Sequence, residues 1–228
     1  MTEYTLIRSK RKTVALYIRD GCLIVRAPLK MPIKDIKNFM FAHREWILSK
    51  LQKSSLLSAL REEFSLNYGD TITFLGRECV ITARNGTTAD FDGSVIRMPP
   101  DLSSEQIKSI CLRIYRLFAE KHFLRRVEFY KRQMGVSPAI VKVNNAKTRW
   151  GSCSSKGSIN LSWRLVMADT EVVDYVVVHE LAHLTEMNHS PRFWAIVEHV
   201  LPDYRTRRTR LKELQNKLNA ENWEETIN

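Results

Sequence analysis

Hydrophobic residues in the first quarter of the chain form two short apolar runs and then recur at helical spacing. Residues 13–18 (TVALYI) and 22–27 (CLIVRA) have the length of strands, and Gly21 between them tolerates the positive φ of a tight turn. We therefore predict a β-hairpin. Apolar residues at helical spacing from Ile36 to Leu51 predict a helix, and the polar, mixed stretch Gln52–Phe64 predicts a connector.

The rest of the chain alternates between β-rich stretches and helices. Strand patterns bounded by turn residues occur at Thr71–Leu75, Glu78–Arg84, Ser94–Met98, Ile140–Val143, Arg149–Cys153 and Ser158–Trp163. Helical patterns run from a capping box at Ser103 and Gln106 toward Gly135, over Glu171–Met187, from Ser190-Pro191 onward, and from about Pro202 to Leu218. Because no regular βαβ alternation is present, we predict an α+β fold. We divide it into a basic, β-rich N-terminal region over residues 1–100 and a second domain over residues 101–228.

The composition is that of a globular chain whose charge is unevenly distributed. The 228 residues are 44% hydrophobic and 27% charged, with a net charge of +11. Residues 1–53 carry +8, whereas residues 171–200 carry −4. This pattern favours an anionic partner: nucleic acid bound through the N-terminal region, a nucleotide, or an acidic protein. Basic residues that only solvate helix faces give the same pattern.

Two signals concern the location of the protein. No stretch reaches the ~20 apolar residues of a membrane helix. The basic residues near the start are not followed by the apolar core of a secretory signal. We therefore expect a cytoplasmic protein with no membrane partner, in which the four widely spaced cysteines are free thiols.

The candidate chemistry lies in residues 178–189 (VHELAHLTEMNH). Residues four apart lie ~40° apart around a helix, so His179 and His183 can present both imidazoles to one metal ion. Glu180 lies ~60° beyond His183 in the same projection, beside such an ion rather than behind it. That position suits a general base better than a third metal ligand.

A catalytic zinc site normally takes three protein ligands and keeps one position open. His189 is our candidate for the third ligand. On a continuous helix His189 would point ~240° away from His183, so coordination requires that the helix end between them. Asn188 tolerates left-handed backbone and Ser190-Pro191 starts a new helix, which favours such a break. Two residues on the next helix are alternative third ligands: His199 and Glu198.

Sequence similarity then suggests a family. The spacing HExxHxxxxxH is shared with metzincins, but Glu186 stands at their glycine position and no Met-turn can be identified. Four segments instead resemble the YgjP-like predicted metal-dependent hydrolases, which are related to the SprT-like and WLM-type zinc peptidases. These segments are residues 148–153 (TRWGSC), 159–165 (INLSWRL), 175–184 (YVVVHELAHL) and 188–194 (NHSPRFW).

This resemblance covers nearly the whole chain and carries several implications. It implies a zincin-like metallopeptidase core with an N-terminal β-rich extension. It also implies that His179, His183 and His189 are the zinc ligands and that Glu180 is the catalytic acid/base. Members of the family are labelled peptidases by this motif, and the family also carries a nucleoside triphosphate pyrophosphatase label. The resemblance therefore indicates the metal site more specifically than the substrate.

Three further residues are candidates for substrate binding. In zincins an edge strand beside the active helix pairs with extended substrate, and Ser158–Trp163 is our candidate strand, with Asn160 bonding the substrate. Arg149 or Tyr204 is a candidate for stabilising an oxyanion. Each of the three also has an ordinary explanation as a solvent-facing polar residue, a surface arginine or a core tyrosine.

Together these observations predict a zinc-dependent hydrolase, and within that class we favour a metallopeptidase that acts on polypeptide. Two alternative enzymes stay open. One is a metal-dependent nucleoside triphosphate pyrophosphatase acting on a nucleotide, and the other is a DNA-associated protease of SprT-like type that docks through the basic N-terminal region. A structural metal site without turnover is a further alternative, in which Glu180 would be dispensable.

Overall fold

The computed structural model describes residues 3–19 and 21–224, which divide into two compact units. The first unit runs to Phe64 and includes Leu218–Asn222. The second consists of Ser65–Lys217 together with the described residues from Trp223 onward. Our division of the sequence after residue 100 lies inside the second unit and stays a prediction.

The first unit is a three-stranded sheet followed by two helices. Strands β1 (Tyr4–Ser9), β2 (Ala15–Arg19) and β3 (Cys22–Pro28) have the order β1-β3-β2, with β3 parallel to β1 and antiparallel to β2. Helices α1 (Ile33–Ala42) and α2 (Arg44–Glu63) complete the unit. Its core joins alternate residues of the central strand to one residue from each helix: Leu23, Val25, Ala27, Ile36 and Ile47.

The structure confirms part of the prediction for this unit. The hairpin is present as the antiparallel pair β2 and β3, although its turn residue Asp20 lies outside the described residues. Strand β1 was not predicted. The connector predicted over Gln52–Phe64 is wrong, because α2 continues to Glu63. This stretch has no apolar stripe, but its Leu, Ala, Arg and Glu residues have high helix propensity.

The second unit holds two sheets and most of the helices. Strands β4 (Thr71–Phe74), β5 (Arg77–Ala83), β6 (Asp90–Phe91) and β7 (Val95–Met98) form one sheet in the order β4-β5-β7-β6. Strands β8 (Ile140–Asn144), β9 (Gly151–Cys153) and β10 (Ser158–Ser162) form the other in the order β8-β10-β9. The helices are α3 (Ser104–Met134), a 3-10 helix (Trp163–Met167), α4 (Thr170–Ala182), α5 (Pro191–Val200) and α6 (Tyr204–Leu218).

These elements confirm the α+β prediction and most of the predicted strands and helices. The capping box at Ser103 and Gln106 is present, and Gly135 ends α3 with a φ of 64°. Helix α4 ends five residues before the predicted Met187, and the two-residue strand β6 was not predicted. In the described residues all four cysteines are free thiols, and no helix is both long and apolar enough to cross a membrane.

Helix α4 lies in the centre of the second unit and is buried on nearly all sides. Its valine-rich sequence matches this position, because a helix without a polar face must be covered all around. Asp174 and Glu180 are the two buried acidic residues of this helix, and Asp174 is paired with a cation. Its carboxylate accepts two hydrogen bonds from the Arg126 guanidinium on α3, at 2.5 and 2.8 Å, and one from the Tyr130 hydroxyl at 3.1 Å. This bidentate pair fixes α4 against α3.

Replacing Arg126 with Ala removes the charged partner of a buried carboxylate. We expect Arg126→Ala to lower the free energy of unfolding by about 2–3 kcal/mol, measured by urea unfolding followed by circular dichroism. Arg132→Ala is the control on the same helix, because Arg132 is 77% exposed and its pair with Glu128 contributes less than ~1 kcal/mol. Equal losses for the two variants would contradict the anchoring role of Arg126.

Candidate metal centre

The chain reverses direction directly after α4. The amides of Thr185 and Glu186 donate to the carbonyl of Ala182 at 3.1 and 2.9 Å, so the backbone closes one last turn and leaves the helix. Ser190 then caps α5, where its hydroxyl accepts a hydrogen bond from the Phe193 amide at 3.3 Å. The break that the sequence requires between His183 and His189 is therefore present.

This turn brings three histidines together. His179, His183 and His189 each offer one ring nitrogen, and these nitrogens lie within 4.8 Å of one another. The Nε2 atoms of His179 and His189 are 3.0 Å apart. The fully buried ring of Phe193 supports the cluster, because its centroid lies 4.5 to 4.8 Å from the centroids of all three imidazoles. Trp194, which follows Phe193 on α5, stacks on the ring of His189 with the two centroids 5.8 Å apart.

The surroundings of His179 and His183 favour their neutral forms. Burial, followed by the neighbouring His183 and His189, lowers the pKa of His179 to about 3. Burial also lowers the pKa of His183. The Nδ1 atom of His183 lies 3.1 Å from the carbonyl oxygen of Glu186, which can only accept, so this nitrogen carries the proton and Nε2 has the free lone pair. Converging neutral imidazoles fit a divalent transition-metal ion.

The carboxylate of Glu180 lies close to the backbone of Gly151, the first residue of strand β9. A Cβ atom placed on Gly151 would lie 2.5 Å from Oε1 of Glu180, so only glycine fits here without displacing the carboxylate. Glu180 is 5% exposed. Burial raises the pKa of Glu180 to about 7, although the positive charge of Arg149 opposes the rise. A pKa near neutrality is the range expected of a general base.

The predicted substrate-pairing strand is wrong. Strand β10, within the predicted Ser158–Trp163, is the central strand of its sheet, parallel to β8 on one side and antiparallel to β9 on the other. Both of its backbone edges are therefore occupied by the protein itself. Within the described chain β9 pairs only with β10, so β9 is the edge strand next to Glu180. The binding role of Asn160 stays a prediction.

The other candidates occupy different surroundings. Arg149 is exposed and precedes β9, where its charge acts on Glu180. Tyr204 is buried and stacks on Trp194, with ring centroids 5.4 Å apart. The two alternative ligands, His199 and Glu198, are not part of the cluster. Instead, Glu198 forms an ion pair with Arg205 at 3.0 Å.

Two residues of the site were not found from the sequence. Tyr175 lies one helical turn before His179 and meets its ring edge-on, with centroids 5.9 Å apart. The i, i+4 spacing of Tyr175, His179 and His183 was a usable signal for a shared face. Gly151 gave no comparable signal, because its neighbour Glu180 is distant in the sequence and only the fold brings the two together.

The solved structures that this chain resembles include two metallopeptidase zymogens. The metallopeptidase zymogen abylysin of Pyrococcus abyssi is 27% identical over 44% of this chain and 97% of that chain, with a TM-score of 0.38. The metallopeptidase zymogen jannalysin of Methanocaldococcus jannaschii is 20% identical over 42% of this chain and 92% of that chain, with a TM-score of 0.34. With TM-scores this low, neither likeness supports the transfer of fold or function.

One protein family matches most of the chain. No curated protein matches significantly. The family description "YgjP-like, metallopeptidase domain" matches residues 12–214, which is most of the chain. The chain therefore belongs to the YgjP-like metallopeptidase family, whose members are metal-dependent hydrolases, and this confirms the resemblance seen in its sequence.

Proposed function

We propose that this protein is a zinc metallopeptidase in which His179, His183 and His189 hold the metal and Glu180 is the general base. The observation that carries the proposal is the convergence of three imidazoles, one of which, His179, directly precedes the buried Glu180 on α4. Zinc, when bound, acts as a Lewis acid toward the scissile carbonyl and lowers the pKa of water toward neutrality. Imidazole ligands suit zinc better than they suit Mg²⁺, which prefers oxygen.

Glu180 moves the proton in this proposal. Its carboxylate takes a proton from the attacking water and later delivers that proton to the nitrogen of the leaving amine. A side chain with a pKa raised to about 7 by burial can both accept and release a proton at neutral pH. Gly151 leaves the space that this carboxylate occupies, because a Cβ atom at that position would lie 2.5 Å from Oε1 of Glu180.

The strand β9 and the arginine before it orient the substrate. An extended peptide can add to the open edge of β9 through backbone hydrogen bonds, which places its scissile bond next to Glu180. Arg149 is the better of the two candidates for stabilising the oxyanion. Its exposed guanidinium lies in the electrostatic range of Glu180, whereas Tyr204 is held in an aromatic stack.

Two variants separate the role of the base from that of the ligands. We expect Glu180→Gln to retain stoichiometric zinc while losing at least ~100-fold in kcat, because the amide cannot accept the proton. His183→Ala should lose both zinc and activity. The measurements are elemental analysis of the purified protein and turnover of an unfolded protein mixture.

The same assay includes a panel of nucleoside triphosphates, because the pyrophosphatase alternative predicts product from nucleotides and none from polypeptide. Full activity of Glu180→Gln would show that Glu180 is not the base. Zinc binding without turnover of either substrate class would support the structural-site alternative.

A methyl group at Gly151 tests whether β9 positions the base. Gly151→Ala should lower kcat about tenfold or more by displacing the Glu180 carboxylate, while zinc content stays at the wild-type level. The control is Ser152→Ala in the same strand, which removes one hydroxyl group without adding bulk near Glu180 and should change kcat less than about twofold. Equal kcat values for Gly151→Ala and wild type would show that this close contact does not set the position of the base.

A further inference from the structure

An open cavity of about 620 Å³ lies in the second unit beside the histidine cluster. Three aromatic residues form one part of its wall: Trp150, Tyr175 and Tyr204. One face of α6 forms the rest, and three of its basic residues line the cavity: Arg205, Arg208 and Lys212. Among the residues that the structure describes, no acidic one lines it.

Ring contacts connect this cavity to the candidate metal centre. Tyr175 is shared, because it lines the cavity and meets the ring of His179 edge-on at 5.9 Å. Tyr204 stacks on Trp194 at 5.4 Å, and Trp194 in turn stacks on His189 at 5.8 Å. A substrate bound at the histidines can therefore place a neighbouring group in the cavity.

Five of the six basic residues of α6 fall into two groups, and the sixth, Lys217, donates a hydrogen bond to the Thr73 hydroxyl at 2.9 Å. Arg205, Arg207 and Arg210 each form an ion pair with a carboxylate, at 3.0 Å or less. Arg208 and Lys212 form no ion pair within the part of the chain that the structure describes, and both are exposed in the cavity. Their i, i+4 spacing puts the two cations on the same face of the helix.

Arg208 is also held in place by an aromatic ring. Its guanidinium lies over Trp194, 5.5 Å from the ring centroid. This contact orients the donors of Arg208 without neutralising its charge. The cavity thus presents two uncompensated cations and aromatic walls next to the candidate metal centre.

We propose that this cavity is a specificity pocket that receives a carboxylate of the polypeptide substrate, with Arg208 and Lys212 as its ligands. The proposal rests on the peptidase function proposed above and adds a substrate class to it. Arg208 can bind a carboxylate with two parallel N–H donors, and Lys212 adds a point charge. The aromatic walls cover the aliphatic part of a glutamate or aspartate side chain.

Digestion of an unfolded protein mixture tests this proposal. With the zinc-loaded wild type we expect Asp and Glu to be enriched about tenfold over Asn and Gln at one fixed position relative to the cleaved bond, as read by mass spectrometry. The double variant Arg208→Gln/Lys212→Gln should lose this enrichment. The charge-matched control Lys121→Gln/Lys142→Gln, which changes two exposed lysines outside the cavity, should keep it. No enrichment in the wild type, or equal enrichment in all three proteins, would overturn the proposal.

The carboxylate can come from a side chain or from the end of a peptide, and synthetic peptides distinguish the two sources. Peptides with Glu or Gln at the enriched position are compared in pairs, each with a free or an amidated C-terminus. A preference for Glu irrespective of the C-terminus indicates a side-chain pocket. A preference for the free C-terminus irrespective of Glu indicates a pocket for the chain end. Either result supports a carboxylate ligand.

A binding measurement keeps the pocket testable if no peptide is cleaved. Capped Ac-GGEGG-NH₂ and Ac-GGQGG-NH₂ are titrated into zinc-loaded Glu180→Gln and into the same protein carrying Arg208→Gln/Lys212→Gln, by calorimetry. Tighter binding of the Glu peptide that depends on the two cations supports the pocket even if the peptidase function is wrong. Equal binding of both peptides, together with no tighter binding of Ac-GGQGG that has a free C-terminus, would overturn it. So would a nucleoside triphosphate that displaces the Glu peptide from this variant and is hydrolysed by the wild type, because the pocket would then serve phosphate.

Discussion

Helix α4 stops at Ala182, and the turn after it carries His189 back toward His179. Every other property of the site depends on this reversal. A continuous helix would point the third imidazole away from the other two. Instead, the chain turns at hydrogen bonds to the carbonyl of Ala182, and a new helix begins after its cap residue Ser190. The helix that follows the turn, α5, carries Phe193, whose ring contacts all three imidazoles. One short segment therefore provides both the candidate ligands and their support.

The burial of α4 explains the chemistry of the residues that it carries. A helix covered on all sides desolvates its polar groups, which lowers the pKa of His179 and raises that of Glu180 in the same short stretch. The helix also needs anchors that are independent of its apolar surface. Within the helix, the Asp174 carboxylate pairs with Arg126. At the start of the helix, Asp169 accepts a hydrogen bond from the Val172 amide and forms an ion pair with Arg210. Both anchors precede Glu180 in the sequence and fix the helix that carries the candidate base.

The sequence predicted the local parts of the site and missed those that depend on distant contacts. The helix break and the convergence of His189 follow from turn residues and helix geometry within a dozen residues. The contact of Gly151 with Glu180 and the central position of β10 arise from strand pairing, which one sequence does not reveal. The error over Gln52–Phe64 has another origin. Helix α2 continues there on propensity, without the apolar stripe that marks a helix in a sequence.

The edge strand β9 has a further consequence because it is only three residues long. Such a strand spans about 10 Å, so it can share no more than a few backbone hydrogen bonds with a polypeptide laid along it. In the proposed peptidase, so short a strand would bind a target weakly and would offset little of the free energy needed to unfold a stable helix or sheet. Proteins with loosened, already extended segments would therefore be cut, and tightly folded ones would be left intact. The length of one strand would then act as a filter for the folding state of the target.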